Sequence, residues 1–245
     1  MSAPTPTAEI KSAAALSFTF TNSPFEVELV DKLGSDLTVV NSARISFGSR
    51  HQKLTKGDEK LINFLAHEKH YSPFRHCMLQ LRIKAPEFVL RQAYKHAVGI
   101  EATSTYATKD HAWNEISGRY KPYNEIYVPP EWYVQHKTAK QCSAGPHVDQ
   151  ERIGSIYMEG IQANLATYEK LLEEGISKEQ ARMLLPLTFM TEVVWTTSLQ
   201  AIQNFVVLRD SEHAQKEIRQ LAQEVRRIAE ETFPVAFKAL MDSEK

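Results

Sequence analysis

Across residues 25–33 apolar and acidic positions alternate, Val27 and Leu29 against Glu26 and Glu28, until Gly34-Ser35-Asp36 interrupts them. A period of two that stops at turn residues predicts a strand followed by a turn. From Asp58 the spacing turns helical. Leu61, Ile62, Phe64 and Leu65 recur until 67–70, and Asp58 is placed to cap this helix. The period returns to two at Cys77, Leu79, Leu81 and Ile83, which alternate with Met78, Gln80, Arg82 and Lys84. That reads as a half-buried strand, ended by Pro86, which also opens a helix from Glu87 to about Ala97.

Residues 98–147 are polar and broken by Pro122, Pro129, Pro130 and Pro146. The stretch is long for a plain connection and reads as a functional or disordered loop. Helical spacing resumes over 149–174 and Gly175 closes it. A short helix over 178–185 precedes Pro186, and residues 188–197, with Phe189, Val193, Val194 and Trp195, predict a second strand region. Helix follows, and the stripe of Ala214, Ile218, Leu221, Ala222, Val225, Ile228 and Ala229 makes 213–232 the most regular helix of the chain. The first 20 residues read as a flexible leader and 21–245 as one α+β domain, a central mostly antiparallel sheet flanked by helices.

Composition narrows the function classes. Lys plus Arg number 29 against 30 Asp plus Glu, a formal net charge of -1. That leaves no global basic field for nucleic acid or anionic membrane. No apolar run of about 18 residues exists to span a bilayer. Cys77 and Cys142 are the only cysteines, too few for a disulfide scaffold or a thiolate zinc cage, which suits a reducing cytoplasm. Of nine glycines none is spaced Gly-x-Gly, so neither a dinucleotide fingerprint nor a phosphate loop is present. His111, His136 and His147 read as solvated loop residues without metal-ligand spacing, and no metal is expected.

Phosphates are then left to side chains. Arg91 and Lys95, and likewise Gln92 and His96, stand four apart, two adjacent rows on one helix face. On this segment alone an ordinary solvated face is the better explanation. What adds weight is Asn114-Glu115-Ile116-Ser117-Gly118-Arg119-Tyr120, which packs an amide, a carboxylate, a hydroxyl, a guanidinium and a phenol into seven residues.

Together these blocks resemble the signature of flavin-dependent thymidylate synthases, Arg-His-Arg, seven residues, then Ser. The resemblance extends over about 25–237. It includes His70 with Ser72-Pro73-Phe74, Ala181-Arg182 with Leu185-Pro186, Asn204-Phe205 with Leu208-Arg209, and Ala214-Gln215 with Glu217-Ile218. The chain also departs from the pattern. Lys95 and Ala97 stand where the family has arginine, the spacer between Ala97 and Ser117 is 19 residues, 12 longer than the family's, and Ser198 and Gln200 replace Asn and Arg. The extra length marks 98–112 as an inserted segment expected to fold over the nucleotide or the flavin, with Lys109 or His111 as a replacement cation.

The resemblance implies reductive methylation of dUMP to dTMP, with methylenetetrahydrofolate as one-carbon donor and NADPH as reductant through FAD. It places Arg209, His70 and Ser117 nearest the chemistry, Ser117 orienting the nucleotide rather than attacking. It assigns Arg91, Gln92, Lys95, Glu115, Ser117, Gly118, Arg119, Arg182 and Arg209 to dUMP. Ser72, Lys95, His96, Ala97, Glu115, Ser198 and Asn204 go to FAD. It further implies a homotetramer with sites shared between subunits, and a mechanism without a cysteine nucleophile. Two other classes stay open: an enzyme acting on a different pyrimidine nucleotide, and a non-catalytic nucleotide- or nucleic-acid-binding module on the same fold.

Overall fold

The computed structural model describes residues 17–96, 111–138 and 143–244. In chain order the elements are β1 (Thr19–Thr21), β2 (Glu26–Leu33), α1 (Asp36–Arg44), α2 (Lys56–His67), β3 (Met78–Pro86), α3 (Glu87–Ala93), β4 (His111–Glu115), β5 (Glu125–Tyr127), β6 (Tyr133–Gln135), β7 (Ser143–Pro146), α4 (Gln150–Glu173), α5 (Lys178–Ala181), β8 (Met190–Ser198), α6 (Leu199–Arg209), α7 (Lys216–Thr232) and α8 (Ala236–Asp242). The main sheet runs β2-β3-β8-β4 with every neighbouring pair antiparallel. The fold is α+β, as expected.

Alternation in β3 and β8 decides the architecture. Leu79, Leu81, Ile83, Val193 and Trp195 are buried on one face, where Phe205 and Val206 of α6, Ile218 and Leu221 of α7 and Phe237 and Leu240 of α8 complete a single core. The other face carries polar side chains, such as Arg82 on Glu192 (2.8 Å) and Glu28 (3.2 Å). Exposed pairs of this kind contribute about 1 kcal/mol at most. A smaller core packs Ile161, Leu165 and Tyr168 of α4 against Tyr123, Ile126, Ala181 and Leu185. Gly175, at φ 81°, ends the long helix in the left-handed conformation that glycine tolerates.

Several expectations shift. The cap of α2 is Thr55, whose hydroxyl accepts from the Asp58 N–H (3.3 Å) while the Asp58 carboxylate accepts from the Thr55 N–H (3.0 Å). This reciprocal box starts the helix ahead of Asp58. The fully buried Asp58 carboxylate also accepts from Arg44 (Nη2 2.8 Å, Nε 3.2 Å) and the Thr55 hydroxyl (2.7 Å) and lies 2.8 Å from His51 Nδ1, tying α1 to α2. α3 ends at Ala93, not near Ala97, and α7 begins at Lys216. The polar stretch after residue 97 is not a plain loop. It supplies four short strands, one of which, β4, completes the main sheet. His111 therefore sits in a strand with its ring 5.4 Å from that of Tyr94, rather than in a solvated loop. β1 begins at Thr19, inside the expected leader, while Ala97, most of the inserted segment and Cys142 lie outside the described residues.

Candidate functional site

α3 and β4 wall a cleft of about 370 Å³. Two periodicities build it. Glu87 and Arg91 are one helical turn apart on α3, with Tyr94 and Lys95 just past its end. On β4, Trp113 and Glu115 pair in register with Trp195 and Val193, whose side chains face the core, so both point to the helix side of the sheet. All six residues line the cleft. Thr191 donates its hydroxyl to Glu115 Oε1 (2.9 Å) and holds that carboxylate in place. Arg91 and Lys95 have no hydrogen bond or ion pair among the described residues. Partial burial, with Glu115 nearby, pushes the Glu87 carboxyl up to about 7, against the smaller opposing pull of Arg91.

A second group lies where α6 ends. Arg209 donates from Nε to His96 Nε2 at 2.9 Å. Burial and the adjacent guanidinium hold His96 down to about 4, so the imidazole is neutral at pH 7 and accepts at Nε2. The ring packs edge-on against Phe205 (5.3 Å), which fixes both partners. Gln92 does not share the cleft with Arg91. It turns to α7 and donates to Gln215 Oε1 (3.1 Å).

The other candidate residues are distributed. Ser117, Gly118 and Arg119 follow β4 beside the smaller core. Gly118 lies under the Tyr123 ring, where an added Cβ would stand 2.3 Å from Cε2, so no larger residue fits. Its N–H donates to Tyr123 Oη (3.2 Å), and Arg119 Nε donates to Ser117 Oγ (3.2 Å). Arg182 opens the 3-10 turn Arg182–Leu184 next to Ala181 of that same smaller core. His70 and Ser72 are exposed at the approach to β3, near the sheet end where Ser198 is buried as the cap of α6, accepting from the Ala201 N–H (3.3 Å). Asn204 is half-buried on α6.

The family described as thymidylate synthase complementing protein matches residues 28–235. This chain belongs to that family. It is 36% identical over 214 residues to the flavin-dependent thymidylate synthase of Thermus thermophilus, covering 87% of this chain and 74% of the relative. It is 35% identical to that of Thermotoga neapolitana, covering 88% and 90%. Among solved structures it is similar to the UMP/dUMP methylase PolB from Streptomyces cacaoi bound with 5-Br dUMP, at TM-score 0.77 and 27% identity over 90% of this chain and 96% of the other.

For a chain of the thymidylate synthase complementing protein family, a flavin is the cofactor to fit. The Gln200 side-chain oxygen and Trp195 Nε1 are buried without a hydrogen-bond partner among the described residues, polar atoms of the kind a bound polar group would satisfy. In the α3–β4 cleft Arg91 and Lys95, without an ion pair among the described residues, are cations of the kind that take up a phosphate. Among the described residues no His, Cys, Asp or Glu cluster could hold a metal ion, and no helix is long and apolar enough to cross a membrane.

Sequence reasoning missed Glu87, Tyr94, Trp113 and Thr191. Trp113 lies on β4, whose inward positions His111, Trp113 and Glu115 are too mixed in chemistry to show a period of two. Cys77 offers no nucleophile: its thiol is buried and pushed up to about 12 by burial, with the nearby Asp36 carboxylate adding to the shift. Cys77→Ala combined with Cys142→Ala is expected to retain turnover and to lose about 1 kcal/mol of stability for the small void left in the core. A folded, flavin-loaded double variant that forms no product would contradict this.

Proposed function

We propose that this chain methylates C5 of dUMP to give dTMP, with methylenetetrahydrofolate as the one-carbon donor and NADPH as the reductant through FAD. One observation carries the reading: within this family's fold, Arg209 is held at Nε by a neutral, half-buried His96, leaving the rest of its planar fork for a ligand. Uracil C5 becomes nucleophilic toward an electrophilic carbon when the ring carries anionic character on N3 and O4, and a guanidinium there stabilises that activated form more than the neutral ring. Arg91 and Lys95 supply charge for phosphate, and Glu115, oriented by Thr191, accepts from the nucleotide. The bound flavin supplies the two-electron reduction.

The remaining assignments follow the family pattern. Ser117, Gly118, Arg119 and Arg182 are taken for dUMP, with Gln92 reaching it only if it leaves Gln215. His70, Ser72, His96, Ala97, Ser198 and Asn204 are taken for the flavin and folate side. Because Arg119 and Arg182 border the smaller core and Arg91 lines the α3–β4 cleft, we take the complete site to draw on neighbouring copies in a homotetramer.

Anaerobic incubation of the protein with FAD, NADPH, methylenetetrahydrofolate and dUMP is expected to yield dTMP, and omission of any one of the four should abolish it. FAD added to the apoprotein should shift the flavin spectrum. An unchanged spectrum together with no dTMP would refute the proposal.

A further inference from the structure

Resting on the reading that Ser117 and Arg119 take dUMP, we propose that Tyr123 is a positioning residue: its phenol hydroxyl locks the turn after β4, so that both side chains meet the nucleotide already oriented.

The lock is one oxygen atom. Tyr123 Oη donates to the Ile116 carbonyl (3.1 Å) and accepts from the Gly118 N–H (3.2 Å), so its donor and an acceptor site go to the two neighbours of Ser117. The peptides on either side of Ser117 cannot rotate without breaking a bond to it. At its entry the turn is pinned to β8, where the Ile116 N–H donates to the Glu192 carbonyl (2.9 Å). The ring holds the turn as well. Buried Gly118 lies under it, where an added Cβ would stand 2.3 Å from Cε2, and the ring itself packs on Phe189 with 4.4 Å between centroids.

What the turn presents is a pair of donors. Ser117 Oγ accepts from Arg119 Nε (3.2 Å) and from the Arg119 N–H (3.4 Å), which leaves the hydroxyl proton for a ligand oxygen. The Arg119 guanidinium carbon stands 5.3 Å from the Tyr120 ring centroid, and its terminal nitrogens have no hydrogen bond or ion pair among the described residues. A fork fixed at Nε with its terminal nitrogens open suits a phosphate. Order reaches it in two steps: Tyr123 fixes the backbone around Ser117, and Ser117 sets the plane of Arg119.

The plain alternative is that a buried tyrosine satisfies its hydroxyl wherever it can. One partner meets that need. Here two are engaged, two residues apart on the same turn. Phenylalanine would fill the same space and leave the buried Gly118 N–H without an acceptor, a penalty that a shift of the turn toward water relieves. Ser117 and Arg119 move with that shift.

The test compares wild type with Tyr123→Phe, Arg119→Ala and the double variant, in steady-state turnover and in calorimetric titration with dUMP, with urea midpoints confirming that each folds. Tyr123→Phe should raise KM for dUMP and weaken its binding about tenfold, as expected for losing two hydrogen bonds that preorganise a contact, while kcat and FAD affinity stay within about twofold. In the Arg119→Ala background the same change should have little further effect, since the two residues act through one contact. Gly118→Ala pushes the turn and the ring apart and should reproduce the selective loss, even where Tyr123→Phe does not fold. An unchanged KM, equal losses for dUMP and FAD, or full additivity with Arg119→Ala would overturn the role of Tyr123 and leave the proposed function standing. A wild type that binds no dUMP would remove both.

Discussion

Lysine in place of Arg209 is expected to lower the rate at saturating dUMP by roughly a hundred- to a thousandfold, about 2.7 to 4 kcal/mol, the usual cost of losing one donor aimed at transition-state charge. Charge is conserved in this substitution and geometry is not. Arg209 spends Nε on His96 Nε2 at 2.9 Å, which sets the plane of the guanidinium and leaves its other nitrogens to meet N3 and O4 together. An ammonium has no such plane, and if it bonds to His96 it is drawn away from the ring. Since His96 is held down to about 4 it remains an acceptor throughout the neutral range, so the defect should not vary between about pH 6 and 8. Single-turnover formation of dTMP, compared with dUMP affinity from titration, separates chemistry from capture. Full rescue by excess dUMP would make Arg209 a binding residue only.

Asp58→Ala should cost about 3 to 5 kcal/mol of stability, the range for removing one partner of a buried ion pair. The carboxylate has no exposed surface and serves Arg44, His51 and both polar groups of Thr55. Its loss also removes half of the capping box of α2. The same contacts hold its pKa well below the ordinary 3.8, against the opposing effect of burial. The unfolded chain therefore binds the proton more tightly, so the cluster's contribution is complete above about pH 5 and declines progressively as the medium is acidified below about pH 4. Urea midpoints at pH 7 and pH 3 check both statements. A variant within about 1 kcal/mol of wild type at pH 7, or a difference that grows in acid, would contradict them.

How much of this was legible beforehand depended on whether a pattern is local. β3 and β8 could be read because each buries one face, which writes a period of two in apolar residues, and β2 because Val27 and Leu29 alternate with Glu26 and Glu28 although the strand is largely exposed. β4 could not, because its inward side chains are His111, Trp113 and Glu115, whose shared direction is hidden by their mixed chemistry. Thr55 was overlooked because Asp58 is itself a good capping type, and only geometry shows which residue is the cap and which the third residue of the box. For the site, Arg91, Lys95 and Glu115 were legible through the family resemblance and do meet in one cleft. The contact between His96 and Arg209 spans 113 positions, beyond any spacing argument. Glu87 passed as an ordinary first-turn acid because its partial burial depends on a strand that the sequence did not reveal.

The wall that carries Trp113 and Glu115 is a strand only five residues long, bonded among the described strands to β8 alone, and this imposes a parity rule on the chain. Side chains of a strand change sides at every step. One residue added between Trp113 and Glu115 must send one of them to the opposite face of the sheet, whereas two added residues restore the alternation and shift only their position along β8. Length gained or lost before His111 carries no such restriction, since the pairing of His111 with Thr197 sets the register afresh. The strand itself therefore tolerates changes in length only in twos.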